Sequence, residues 1–407
     1  MTAKFSENYR PIYFLSALGM GGLSVSFFMY LMFLVPHPKS AVPTSSDLVK
    51  IYQGGNMVAI AFVTLALAGI TYFAVRHFQL LSTAIRHQLK FQKSKEYSGF
   101  LQSNAEVQLM AIPLTLGMTI NVLFILAALA IPGMWEAREY VFPFALIADT
   151  AVGYLALKFF GRYITRILVH GSFNIDDTNH FSQVLPSFAF AMVAVAYAAA
   201  AAMSHTLVIS LIGMAGSVFF LAAAASWIAV KLPVAFGSML RSGMNSEAGP
   251  TLWLGIPIFT LGGISVFRLL MGTMHNITHG EMPAVVWLIF FGSLLAAQLV
   301  MGLFGWAVMH AQGYFARYVW GEKKSIPSYG LICPGVALAV LAHFFVARGL
   351  VANGIIEKFS VIHIALLVAI FAIQVLTIWT VAKLNAKLLG APQPDMEEKE
   401  QTALKTV

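Results

Sequence analysis

The chain has 407 residues, 59% of them apolar and only 10% Asp, Glu, Lys or Arg, against roughly 25% charged residues in an average soluble domain. So few charges cannot clothe a soluble surface, which excludes a soluble globular domain, a disordered chain, a coiled coil and a disulfide scaffold and leaves an integral membrane protein. The net charge of +8 then reads as basic cytoplasmic loops, not as a nucleic-acid footprint, and the single cysteine, Cys333, has no partner for an internal disulfide.

Apolar runs bounded by charges or turn residues predict ten helices, an all-α membrane fold. The first, 11–34, is too long for a signal-peptide core. The second, 56–75, leads into a basic segment, 76–95, where Phe78, Leu81, Ile85 and Leu89 recur at steps of three and four. That segment is either an amphipathic helix on the membrane surface or the solvated end of helix 2. Helix 3 covers 107–131 and helix 4 covers 139–162, with Asp149 as the one acid well inside a predicted span. Helices 5 and 6 follow at 184–204 and 206–230. Helix 7, 250–272, carries Arg268 deep in its length. Helices 8, 9 and 10 are expected at 284–310, 328–347 and 359–384. Residues 1–10 form a short N-terminus, 11–385 the membrane domain, and 386–407 an acidic, proline-containing tail predicted to be mobile. Spans and loops use up the length, which leaves no room for a catalytic ectodomain, and the chain reads as a non-enzyme.

Lys and Arg alternate between the loops. The loops after helices 2, 4, 6 and 8 hold thirteen, and the opposite segments six. The positive-inside rule places both termini in the cytoplasm, in an inner or plasma membrane.

A weak internal repeat accompanies the helices. Ala-Ile-Pro-Leu-Thr at 111–115, Val-Leu-Pro-Ser-Phe at 184–188, Gly-Ile-Pro-Ile-Phe at 255–259 and Ile-Cys-Pro-Gly-Val at 332–336 put Pro113, Pro186, Pro257 and Pro334 near the starts of helices 3, 5, 7 and 9. Helix 1 has Ala17-Leu18-Gly19 where the proline is expected. The repeat predicts five consecutive hairpins whose first helices are kinked or softened and surround a central path. Those helices present small neutral residues, among them Gly19, Thr115, Ser187 and Thr260. They carry no midspan acid, which favours anions or neutral solutes over cations.

Tyr13-Phe14 with Leu18-Gly19, Ile112-Pro113-Leu114-Thr115, Leu185-Pro186, Pro257, and Lys323 before the Ser/Gly/Pro-containing start of helix 9 occur in an order that resembles the tellurite-resistance/dicarboxylate transporter family, to which the slow-type anion channels belong. The resemblance spans nearly all of 11–385. It implies ten helices as five hairpins in a pseudo-fivefold arrangement, assembled as a homotrimer, with an anion pore in each protomer and small inorganic or carboxylate anions as cargo. It also implies a phenylalanine gate before the kink of the ninth helix. Cys333 takes that position in the preferred alignment and Tyr329 in one shifted by four residues. Phe14, Phe188 or Phe259 could then close the path instead.

Other chemistries have thinner support. Asp149 could couple a solute exporter to protons, or be a hydrogen-bonded structural carboxyl. Arg268 could attract anions or snorkel to the interface. His343 and His363 could serve as haem ligands or pack as core histidines. His275 and His279 form His-x-x-x-His without the glutamate of a metalloprotease. No metal or other cofactor is expected.

Overall fold

The computed structural model describes residues 9–171, 173–174 and 178–389. The tail expected to be mobile therefore lies outside the described residues from Gly390 onward. The chain is 84% helical with no strand among those residues. Ten helices are long and apolar enough to cross a membrane: α1 (Pro11–Leu34), α2 (Met57–Phe91), α3 (Asn104–Ala130), α4 (Arg138–His170), α5 (Phe181–Met203), α6 (Leu207–Ser242), α7 (Ser246–Thr278), α8 (Ala284–Ala311), α9 (Ile326–Val351) and α10 (Val361–Leu388). The chain is a multi-pass membrane protein.

Helix starts fall within a few residues of the sequence expectation, but α2, α4 and α6 run well past their apolar stretches. α6 runs on through Pro233, where a helix end would be expected. α4 ends at Gly171, which takes the left-handed conformation (φ 59°) that closes helices without a Cβ clash. The basic segment 76–91 is thus the continuous end of α2 and not a separate surface helix.

The repeat has a structural counterpart. Each odd-numbered helix opens with a 3-10 turn and then rewinds as α: Pro11–Tyr13 before Phe14, Asn104–Met110 before Ala111, Phe181–Val184 before Leu185, Ser246–Trp253 before Gly255, and Ile326–Leu331 before Ile332. Pro113, Pro186, Pro257 and Pro334 are the second or third residues after the rewinding. A proline is tolerated in the first turn because its missing N–H has no partner to lose there. In α1 the equivalent place falls at Ser16, slightly before the Ala17-Leu18-Gly19 expected from sequence. The Ser16 hydroxyl donates back to the Tyr13 carbonyl at 2.7 Å.

Each odd helix packs on the even helix that follows it, and α1 touches α3, α3 touches α5, α5 touches α7, α7 touches α9, and α9 touches α1. The apolar windows of the odd helices are 39–94% buried, those of the even helices 17–33%. Lipid solvates apolar side chains as well as protein does, so polar contacts hold the two sets together. On α2, fully buried His77 places Nδ1 2.7 Å from the Ala17 carbonyl and Nε2 2.9 Å from Thr119 Oγ1, joining three helices. On α8, Gln298 Nε2 donates to the Ile256 carbonyl (2.8 Å) and to Thr260 Oγ1 (2.6 Å). On α10, Gln374 Nε2 donates to Ser26 Oγ at 2.8 Å. At the end of the bundle that carries the chain termini, the Glu106 carboxylate is buried and accepts from Arg162 Nε (2.7 Å) and Arg166 Nε (2.8 Å), which ties the opening turn of α3 to α4. Two of the basic residues counted for the topology therefore share one carboxylate in a structural clamp.

Candidate functional site

A cavity of about 140 Å³ lies among the odd helices. Its walls are Leu18, Gly19 and Gly22 from α1, Met118 and Asn121 from α3, Phe188 and Met192 from α5, Pro257, Thr260 and Arg268 from α7, and Cys333, Val336 and Phe344 from α9. None of its lining residues comes from an even helix. The volume is well below the 300 to 1,000 Å³ of sites for drug-sized molecules, so it suits a small ion.

The walls are apolar or neutral except at one point. Arg268 is the one charged side chain in the lining. Its NH1 donates to the Val195 carbonyl of α5 at 2.9 Å, and no carboxylate pairs with it among the described residues. A guanidinium taken out of water without a counter-ion is expensive, and five donors cannot be satisfied by one carbonyl. The sequence placed Arg268 deep in helix 7 but left its direction open. The helical phase aims it inward, not toward the interface.

Of the residues singled out from sequence, Gly19, Pro257, Thr260, Cys333 and Arg268 line the cavity. Thr260 Oγ1 is committed to the Ala337 carbonyl (2.9 Å) while receiving Gln298. Phe14, Pro113, Thr115, Pro186, Ser187, Pro334 and Tyr329 are buried but do not line it. Thr115 donates to the Phe14 carbonyl (3.1 Å) and fixes α3 on α1. Tyr329 donates to Asn385 Oδ1 of α10 (3.0 Å) and faces outward from the path. Between the two alignments for the ninth helix, Cys333 is the residue that meets the cavity. Phe188 lines it as well, whereas Phe259 opens onto the outer surface of α7.

Asp149 is 3% exposed on α4, outside the cavity lining, with no hydrogen bond or ion pair among the described residues. His343 and His363 are both buried, and each engages its Nδ1 with backbone, His343 with the Ala339 carbonyl and His363 with the Phe359 N–H. His77 was missed by sequence reasoning, whereas Gln298 bonds between helices as its place in an apolar span suggests. The available signal was a polar residue within an outer helix, which lipid does not accept without a partner inside. No protein-family model matches the chain, and neither does any curated protein.

Proposed function

We propose that the protein is a channel or exporter for small anions, with the five hairpins set in a pseudo-fivefold arrangement around the cavity as its path. The observation that carries this reading is Arg268, an unpaired cation in a neutral cavity lined by all five odd helices. An anion beside it offsets the desolvation of the guanidinium, while neutral walls hold the ion weakly enough to let it leave. The successive contacts of the odd helices, from α1 through α9 and back to α1, support the ring. The resemblance to the tellurite-resistance/dicarboxylate family agrees with that cargo, and the same proposal includes a homotrimer with cytoplasmic termini. The apolar face of α7 around Phe259 and Gly262 is a surface such an assembly would use.

Flux in proteoliposomes tests the reading. The wild-type protein is expected to pass chloride, nitrate or sulfite and to exclude potassium. Potassium flux without anion flux would reject it. Cys333→Phe is expected to reduce anion flux at least fivefold, because the ring enters the cavity. Unchanged flux would remove Cys333 from the constriction.

A second reading, proton-coupled solute export, is favoured by one observation, the buried and unpaired Asp149 carboxyl. Since Asp149 does not line the cavity, coupling would act through the packing of α4 on α3 and α5. Asp149→Asn should then make transport insensitive to an imposed pH gradient. Retained sensitivity would eliminate this alternative.

A further inference from the structure

A second pocket, of about 490 Å³, opens at the end of the bundle opposite the termini. It lies between the end of α1 with its following turn, the last turns of α9, and the start of α10. Five polar side chains line it: His37, His343, Arg348, Lys358 and His363. There is no Asp or Glu in the lining. His343 and His363 are 2% and 3% exposed, whereas Arg348 and Lys358 are exposed at the rim. Neither cation has a carboxylate partner among the described residues. They rest against rings instead, Arg348 over Phe267 at 5.9 Å and Lys358 over Phe359 at 5.3 Å.

The hydrogen bonds fix what each imidazole offers. Nδ1 of His37 lies 2.8 Å from the Val35 carbonyl, and Nδ1 of His343 lies 2.8 Å from the Ala339 carbonyl. A carbonyl accepts only, so both rings carry their proton on Nδ1 when neutral, and Nε2 becomes a donor only when the ring is charged. The Nε2 of His343 is buried without a partner, a state that buried polar atoms rarely keep. His363 is the opposite case. Its Nδ1 accepts from the Phe359 N–H at 3.0 Å, so its Nε2 carries the proton of the neutral ring. At neutral pH the pocket presents three groups of donors, from Arg348, Lys358 and His363, and acid adds one more, from His37.

We propose that this pocket is an oxyanion site, separate from the central cavity, whose affinity rises with acidification as His37 turns from an acceptor into a donor. Of the charged groups that act on His37, Arg348 and Lys358 are basic and Asp47 is acidic. Burial holds His37 below the ordinary histidine value of 6.5, and Arg348 and Lys358 push it the same way, against the Val35 carbonyl and Asp47. Asp47 is itself engaged by the Thr44 hydroxyl at 2.7 Å and by Lys50 at 3.1 Å. Glu357 is exposed and pairs with neither cation. A bound anion opposes Arg348 and Lys358, raises His37, and takes up a proton on binding. Tightening therefore sets in as pH falls through the histidine range. Among the described residues no three His, Cys, Asp or Glu side chains are placed to share a metal ion, which leaves the cations to define the ligand. Phe33, at the pocket wall, touches Phe344 of the central cavity edge-on at 5.1 Å. The two sites thus share a wall.

Calorimetric titration of the purified full-length protein in detergent with sodium sulfate tests this, because sulfate does not titrate between pH 5.5 and 7.5. Saturable binding at least tenfold tighter at pH 5.5 than at 7.5 is expected. Arg348→Gln and Lys358→Gln should each weaken it at least tenfold, and His37→Phe should flatten the pH dependence. Lys358 is exposed in a connection, so its variant reports on binding even if the α9 variant folds poorly. Arg241→Gln, exposed in the last turn of α6 and outside both pockets, should leave sulfate affinity unchanged. Loss of binding in Arg268→Met with retention in Lys358→Gln would overturn the proposal by placing the anion in the central cavity. A response that chloride reproduces at equal ionic strength would overturn it as well. A lipid phosphate and a free oxyanion offer the same chemistry. Displacement of sulfate by short-chain phosphatidylglycerol, but not by phosphatidylcholine, identifies a headgroup as the occupant, and no displacement identifies a free anion.

Discussion

Arg268→Met is expected to lower anion flux by about ten- to a hundredfold while leaving the protein folded. A hydrogen bond to a charged group contributes about 1.5–3 kcal/mol, and each 1.4 kcal/mol is a factor of ten in rate. The side chain is close in length to arginine's stem, so the walls of the cavity keep their shape. Stability is expected to hold, because Arg268 is partly accessible from the cavity and has no carboxylate partner to lose among the described residues. The only polar atom stranded is the Val195 carbonyl, which has its helical bond as well. Arg268→Lys should retain more flux than Met, since the charge remains and only the fork of donors is lost. The informative comparison is flux against thermal midpoint. If flux is unchanged and the midpoint falls, Arg268 is a strut between α7 and α5 and the anion reading loses its main support.

Gly272→Ala and Gly213→Ala are expected to destabilise the bundle by about 3 kcal/mol or more each, near the upper end for overpacking. A Cβ on Gly272 would fall on the Ala201 carbonyl oxygen, and one on Gly213 would stand 2.6 Å from the Ala201 nitrogen and 2.7 Å from the Tyr197 oxygen. These are main-chain atoms of α5, so no rotamer change relieves the overlap and the helices must separate. The Ser210 hydroxyl, which donates to Ala201 at 2.7 Å, would lose its geometry too. Gly161→Ala is the matched control. It sits in α4 with nothing within 4 Å of the added atom, and alanine is better than glycine in a helix by about 1 kcal/mol. Thermal midpoints in detergent should move in opposite directions for the two kinds of site. A wild-type midpoint in Gly272→Ala would mean that α7 and α5 are not held this closely.

The helix count and the proline register were legible because lipid demands long apolar runs and because Pro113, Pro186, Pro257 and Pro334 mark equivalent turns. What could not be read was direction. In the α2 extension the apolar stripe suggested Phe78, Leu81, Ile85 and Leu89 as one face. The buried face instead includes His77, Leu80, Leu81, Ala84 and Gln88, while Ile85 and Leu89 are exposed. A membrane helix turns its partnered polar groups inward and leaves leucine to the lipid, the reverse of a soluble helix. The same ambiguity hid the role of Arg268, whose inward aim depends on the phase of α7. For Cys333 and Tyr329 the sequence weighed positions four apart, as if one helix joined them. Tyr329 belongs to the 3-10 turn and Cys333 to the α segment, so the two do not share a face. Pockets built across distant helices, such as the one holding His37, Arg348 and His363, have no local pattern to find.

The glycine contacts around Ala201 also divide the bundle mechanically. Where α6 and α7 press on α5, they meet main chain against main chain, and such a joint has almost no give. Where α1 meets α9, Gly19 and Gly22 face side chains, those of Ile332 and Val336, and not main chain, and α9 then continues as a wider π-helical turn over Phe345–Val351. A movement that widens the central cavity will hinge on this softer seam while the α5–α6–α7 wedge stays still. That seam ends at the basic pocket, so an anion lodged there would act on the part of the protein that is able to move.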